Sequence, residues 1–112
     1  MDRSVPPGEI QGELTPPCSK SYAQRALAAA LLESTLRNIE LCDDTRSAMR
    51  CIKALGADVT VVDSHTLKIR GGLAPRGRTL HVGESGLSTR LFTPIAALAG
   101  VPLRIEGEGT LL

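Results

Sequence analysis

The apolar positions of the chain fall into short runs separated by glycine, proline and polar turns, and their spacing predicts alternating strands and helices. Glu9 to Leu14 alternates weakly, with Ile10 and Leu14 on one side, which predicts a short strand. Thr15-Pro16-Pro17 breaks it. From about Lys20 to Glu33 the spacing is helical, with Ser19 as N-cap. Its expected apolar face is Tyr22, Ala26, Leu27, Ala29, Ala30 and Leu31. Leu36 to Leu41 alternates again and predicts a strand. Asp43-Asp44 is placed to cap a second helix, about Thr45 to Leu55, with Ala48, Met49, Ile52 and Leu55 on its apolar face and Gly56 as its stop.

Asp58 to Val62 and Thr66 to Ile69 read as a hairpin across Asp63-Ser64-His65. After a glycine-rich loop, Thr79 to Val82 predicts a strand, Gly83-Glu84-Ser85-Gly86 a tight turn and Leu87 to Ala99 a third helix. Pro94 falls inside that helix, where it should kink it or mark its first turn. Gly100 ends the helix. Val101 to Glu106 predicts a last strand and Gly107 to Thr110 a loop.

This order contains a repeat. Arg25 is followed by an Ala/Leu helix and then Leu36-Arg37-Asn38-Ile39-Glu40. Arg90 is followed by an Ala/Leu helix and then Leu103-Arg104-Ile105-Glu106. The arginines are 90 − 25 = 65 residues apart, about the length of one βαβαββ unit. The expected fold class is α/β (α+β), with one complete βαβαββ unit and part of a second. Residues 1–15 are expected to form a leading strand and crossover, 16–78 the first unit, and 79–112 the start of a second unit that looks cut.

Composition narrows the functions. Hydrophobic residues make up 42% of the 112, enough for a globular core. Tyr22 and Phe92 are the only aromatic residues, so stacking on bases is disfavoured. Thirteen Lys+Arg against twelve Asp+Glu leave a net charge of +1, which provides no overall field toward nucleic acid or membrane. The N-terminus lacks an apolar signal core and no run is long enough to span a bilayer, so a soluble, cytoplasmic protein is expected. Cys18, Cys42 and Cys51 form no C-x-x-C pair. A reduced compartment follows, with Cys42 and Cys51 in the core, Cys18 in a turn and no metal site.

Candidate chemistry gathers at two helix starts. Ser19-Lys20-Ser21 opens the first helix, where free N–H groups and the dipole attract anions. Ser21 and Arg25, four apart, share a face, and Lys20 adds a point charge beside the forked Arg25 donor. A small phosphorylated acid would suit this corner, and solvated surface charges are the equal alternative. Gly83-Glu84-Ser85-Gly86-Leu87-Ser88-Thr89-Arg90 repeats the arrangement, with Gly86 and Arg90 four apart. On its own this second motif reads more simply as a turn glycine with a capping serine. It lacks the Gly-Lys-Ser/Thr of a P-loop, and Leu87 replaces the second glycine of a nucleophile elbow. Asp43 is either a capping acid or the holder of a basic site residue. His65 and His81 are expected to be structural.

Together, Pro17-Cys18-Ser19-Lys20-Ser21-Tyr22-Ala23-Gln24-Arg25, the Gly83-to-Arg90 motif, Asp43-Asp44-Thr45-Arg46 and Leu55-Gly56-Ala57 resemble, in order, the N-terminal part of the 5-enolpyruvylshikimate-3-phosphate synthase family. The resemblance implies transfer of the enolpyruvyl group of phosphoenolpyruvate to the 5-hydroxyl of shikimate 3-phosphate, through a tetrahedral adduct that expels phosphate, with no cofactor. It implies that Lys20 touches both substrates, that Ser21 and Arg25 hold shikimate 3-phosphate, and that Gly86 lies against phosphoenolpyruvate where glyphosate competes. Asp43 and Arg90 are secondary candidates. It also implies two domains of three units each, so the remainder of such a chain is an expected partner and this stretch alone is expected to be inactive.

The sequence departs from the family pattern at Cys18, Glu84, Ser85 and Leu87. Glu84 brings negative charge toward an anionic substrate, so it is expected to point away or pair with an arginine. Two alternatives stand beside this reading. One is a UDP-sugar enolpyruvyl transferase, though Ser21 rather than asparagine follows Lys20. The other is a non-catalytic α/β interaction module.

Overall fold

The computed structural model describes residues 2–112. Helix α1 spans Lys20–Ala29, and the Ser19 hydroxyl accepts from the Tyr22 N–H at 3.4 Å, the expected cap. The helix stops earlier than its spacing suggests. Strand β1, Glu33–Arg37, claims the following residues by pairing antiparallel with β3, Thr66–Arg70, so that Glu33 faces Arg70. The buried face of α1 is Ala23, Gln24, Leu27 and Ala30, while Tyr22 is 75% exposed and Ala29 is also outside. The real core side is thus rotated from the expected one, and it carries a buried amide.

The strand expected over Leu36 to Leu41 lies three residues earlier. Asn38 has φ 58, a left-handed conformation that asparagine tolerates and that ends β1. Ile39 then turns into the core. Helix α2, Asp43–Ala54, begins after Cys42, which is its N-cap and makes no side-chain cap bond. Asp43 and Asp44 are therefore not the cap. They occupy the first turn, where the helix dipole favours carboxylates. Ala48, Ile52 and Leu55 are buried, as their spacing predicts.

Strands β2, Asp58–Asp63, and β3 form the expected hairpin, and the His65 N–H closes the turn on Asp63 Oδ1 at 2.8 Å. The sheet order is β1-β3-β2. Leu67 and Ile69 face the core, while Glu33, Thr35, Lys68, Arg70, Asp58 and Thr60 are exposed. One wet face is the usual state of an antiparallel sheet. Strand β4, Thr79–His81, leads through the Gly83 turn into α3, Gly86–Leu98, and β5, Arg104–Glu106, returns parallel to β4. This strand is shorter than expected, since Val101 and Pro102 stay outside it and proline has no N–H for a ladder. Pro94 sits in the interior of α3 rather than in its first turn.

Glu9 to Leu14 forms no strand. A strand needs a ladder partner, and none of the strands among the described residues pairs with this segment. Ile10 is 97% exposed. The Cα radius of gyration of 16.9 Å exceeds the roughly 13 Å of a compact chain this long, as an extended arm requires. The leading strand of the expected βαβαββ order is therefore missing, leaving α1-β1-α2-β2-β3, then β4-α3-β5. Both parts share one core: Leu27, Ile52, Leu55, Leu67, Ile69, Leu80 and Phe92 belong to a single buried cluster. Helix α2 packs against α1, α3, β2 and β4, so it sets the spacing between the two motif-bearing helices.

Candidate functional site

Four chain segments line a cavity of about 560 Å³. Lys20 comes from the start of α1. Cys42, Asp43, Asp44, Arg46, Ser47 and Arg50 come from the first half of α2. Gly83, Glu84 and Glu108 come from the second unit. Lys20, Arg46 and Arg50 supply cations, and none has a carboxylate within 4.0 Å among the described residues. Arg50 instead donates to the Ser47 hydroxyl at 2.8 Å, and Arg46 Nε donates to the Leu41 carbonyl at 3.2 Å. The first turns of α1 and α3 carry no acidic residue, whereas α2 carries two. The free N–H groups of α1 and α3 are thus the ones uncontested by carboxylates. A larger hollow, about 720 Å³, lies beside Pro16, Cys18, Glu40 and His65, but no lysine or arginine lines it.

Of the residues expected from sequence, Lys20 and Asp43 line the cavity. Ser21, Arg25, Gly86 and Arg90 do not. Ser21 is half-buried with its hydroxyl 3.4 Å from that of Ser19, while Arg25 and Arg90 are exposed. Within the second motif it is Gly83, not Gly86, that reaches the cavity. The repeat is also offset. The capping serines are 85 − 19 = 66 apart but the arginines 65, so Arg90 stands one helix position earlier than Arg25 and points about 100° away from the equivalent direction. Asp43 has no ion-pair partner among the described residues. Glu84 neither turns away nor pairs with an arginine: it lines the cavity and packs over Gly109. Gly109, at φ 60, leaves the room this needs.

Sequence reasoning missed Arg50, Ser47 and Gln24. Arg46 and Arg50 are four apart on α2, a spacing that marks one helical face. Gln24 gave no signal, because a glutamine inside an Ala/Leu helix reads as a surface residue. It is instead 3% exposed, and its Oε1 accepts from the Ser85 hydroxyl at 2.7 Å and the Ser88 hydroxyl at 2.9 Å. Ser85 in turn caps α3 by accepting from the Ser88 N–H at 3.0 Å. The second motif is therefore bonded directly to the first helix.

The cysteines divide differently from expectation. Cys51 is core, and burial pushes its thiol up to about 12. Cys42 is half-buried and lines the cavity. Burial opposes its ionisation, but contacts with Thr45, the Asp44 N–H and the Lys20 charge outweigh burial and hold its pKa below the ordinary 9.0. The Thr45 hydroxyl, 3.5 Å from Cys42 Sγ and 2.7 Å from the Glu40 carbonyl, is the largest influence that favours the thiolate, ahead of the N–H groups of the helix start. In native protein, iodoacetamide should therefore modify Cys42 with a half-maximal rate below pH 9.0 and leave Cys51 untouched until unfolding, as peptide mapping would record. A midpoint at or above 9.0 contradicts this assignment.

His81 Nδ1 accepts from the Gly83 N–H at 3.3 Å, a structural role that steadies the turn. No group of three or more His, Cys, Asp or Glu among the described residues is placed to hold a metal ion. No helix among them is long and apolar enough to cross a membrane.

Residues 5–111 match the family described as EPSP synthase (3-phosphoshikimate 1-carboxyvinyltransferase). A 3-phosphoshikimate 1-carboxyvinyltransferase of Thermococcus kodakarensis is 37% identical over 112 residues, covering 95% of this chain and 26% of the relative. One from Clostridium botulinum is 33% identical, covering 94% and 26%, and one from Rhizobium leguminosarum bv. trifolii is 34% identical, covering 93% and 26%. The chain thus spans about a quarter of the length of the curated relatives it matches. With the Ser-Lys-Ser helix start, the glycine turn and the mixed α/β order all within the matched stretch, the chain belongs to the EPSP synthase (3-phosphoshikimate 1-carboxyvinyltransferase) family.

Proposed function

We propose that this chain supplies one wall of the substrate site of an enzyme that transfers the carboxyvinyl group of phosphoenolpyruvate to the 5-hydroxyl of shikimate 3-phosphate. The observation that carries this reading is that Lys20 and the Gly83-Glu84 turn, from two separate motifs, line one cavity. In the reaction the 5-hydroxyl oxygen adds to C2 of phosphoenolpyruvate while C3 gains a proton. Loss of phosphate from C2 and of a proton from C3 then restores the double bond. Lys20 offsets negative charge on both substrates, where a fixed cation does most in a site that excludes water. Outside the cavity lining, Ser21 and Arg25 hold shikimate 3-phosphate and Gly86 borders phosphoenolpyruvate in the region open to glyphosate, with Arg90 beside them, while Asp43 acts from the lining itself. Arg46 and Arg50 add cations from α2, which with Lys20 stand against the carboxylates of Asp43, Asp44, Glu84 and Glu108 in the cavity lining.

Relatives are about four times as long, so the opposite wall belongs on the rest of a protein of that length. Incubated with both substrates, the 112-residue chain should release phosphate no faster than buffer, and measurable release would overturn the one-wall reading. Titration with shikimate 3-phosphate separates it from a plain interaction module. The chain should bind, Arg25→Ala should bind more weakly, and absence of any response would remove the proposed function.

A further inference from the structure

We infer that Gln24 is a positioning residue that holds the second motif in register with the first. Its role rests on the proposed substrate site, which it does not touch. Gln24 lies one turn after Lys20 on α1, between the directions of Lys20 and Ser21. Its single Oε1 accepts two hydroxyl protons, from Ser85 and Ser88, across 61 and 64 residues of sequence. Ser85 also caps α3, so the same atom that Gln24 anchors sets where α3 begins and where the Gly86 N–H points. All three residues are buried, and no fully buried side-chain nitrogen or oxygen among the described residues lacks a partner. No other side-chain hydrogen bond among the described residues joins α1 to the Gly83–Arg90 segment. A packed apolar contact would hold α1 and α3 together but would let α3 slide or rotate, whereas two bonds to one oxygen fix both position and rotation. Arg25 and Arg90 sit at unequal helix positions, so the repeat itself does not impose this register.

Gln24→Met keeps volume and removes the acceptor, Gln24→Glu keeps an acceptor, and Ser88→Ala removes one donor with little change in packing. Each would be made in the 112-residue chain and followed by amide NMR during titration with shikimate 3-phosphate. In the parent, amides at Lys20-Ser21 and at Gly86-Leu87 should shift with one midpoint. In Gln24→Met and Ser88→Ala the affinity should fall roughly five- to tenfold. The Gly86-Leu87 shifts should fade while those at Lys20-Ser21 persist, and Gln24→Glu should restore both. Variants that melt earlier but keep both sets of shifts at parental affinity would reduce Gln24 to a core residue and overturn the inference. Hydrogen exchange without ligand decides the matter independently of the proposed function. Gln24→Met should speed exchange of the Ser88 and Thr89 amides more than that of the β3 amides, and an equal change everywhere would refute local positioning. If the parent ignores shikimate 3-phosphate while exchange behaves as expected, the substrate reading fails and the register role stands.

Discussion

Replacing Gly83 with alanine is expected to cost the chain about 2–5 kcal/mol of stability. Two separate demands meet at this residue. Its φ of 62 is left-handed, which costs an ordinary residue about 1–2 kcal/mol. A Cβ there would also stand 2.6 Å from Ser47 Oγ, and overpacking of that kind costs about 1–3 kcal/mol. Ser47 is buried and holds Arg50, so it does not yield without breaking that bond. Gly77→Ala is the control, since nothing lies within 4 Å of its would-be Cβ and its φ is not left-handed. Urea unfolding should show Gly83→Ala far below parent and Gly77→Ala within about 0.5 kcal/mol of it. Adding Ser47→Gly to Gly83→Ala should remove the steric part and leave the backbone strain. Equal midpoints for the two alanine variants would mean that the Gly83 turn is not held against α2.

Lys20→Met is expected to weaken shikimate 3-phosphate binding about ten- to a hundredfold while leaving stability nearly unchanged. Lys20 is exposed at the start of α1 and has no carboxylate partner among the described residues, so nothing structural is lost with it. What is lost is a charge-assisted contact at a helix N-terminus free of acidic residues. Lys20→Arg should recover only part of the affinity, since a planar fork does not reproduce a compact ammonium. Parental binding should weaken as salt is raised, and the Met variant should respond less. Calorimetric titration and thermal melting together check this. Unchanged affinity, or a matching loss of stability, contradicts it.

The fold was legible where a local signal and the tertiary contacts agreed. The Ser19 and Ser85 caps, the hairpin around His65 and the apolar face of α2 follow from spacing and capping chemistry alone. It was illegible where partners decide. Glu9 to Leu14 alternates like a strand but finds no ladder, and Glu33 leaves a good helical run because Arg70 is there to pair with it. The same holds for the site. Lys20 and Asp43 could be named from their helix starts, because a helix start attracts anions wherever it lies. Ser47 and Gln24 could not, because their roles depend on how α2 crosses α1 and the Gly83 turn, and Arg50 offered only its four-residue spacing from Arg46. Cys42 looked like core because a free cysteine next to Leu41 behaves as a small hydrophobe, yet it opens α2 at the cavity edge.

The central claim is that two motifs far apart in sequence build one anion-binding wall. The most direct measurement is the map of amide shifts in the 112-residue chain on addition of shikimate 3-phosphate. The account predicts shifts concentrated at Lys20-Ser21, at the start of α2 and at Gly83 to Gly86, saturating together and moved to about ten- to a hundredfold higher concentration in Lys20→Met. No saturable shifts, or shifts confined to the polar face of the β1-β3-β2 sheet, would contradict it.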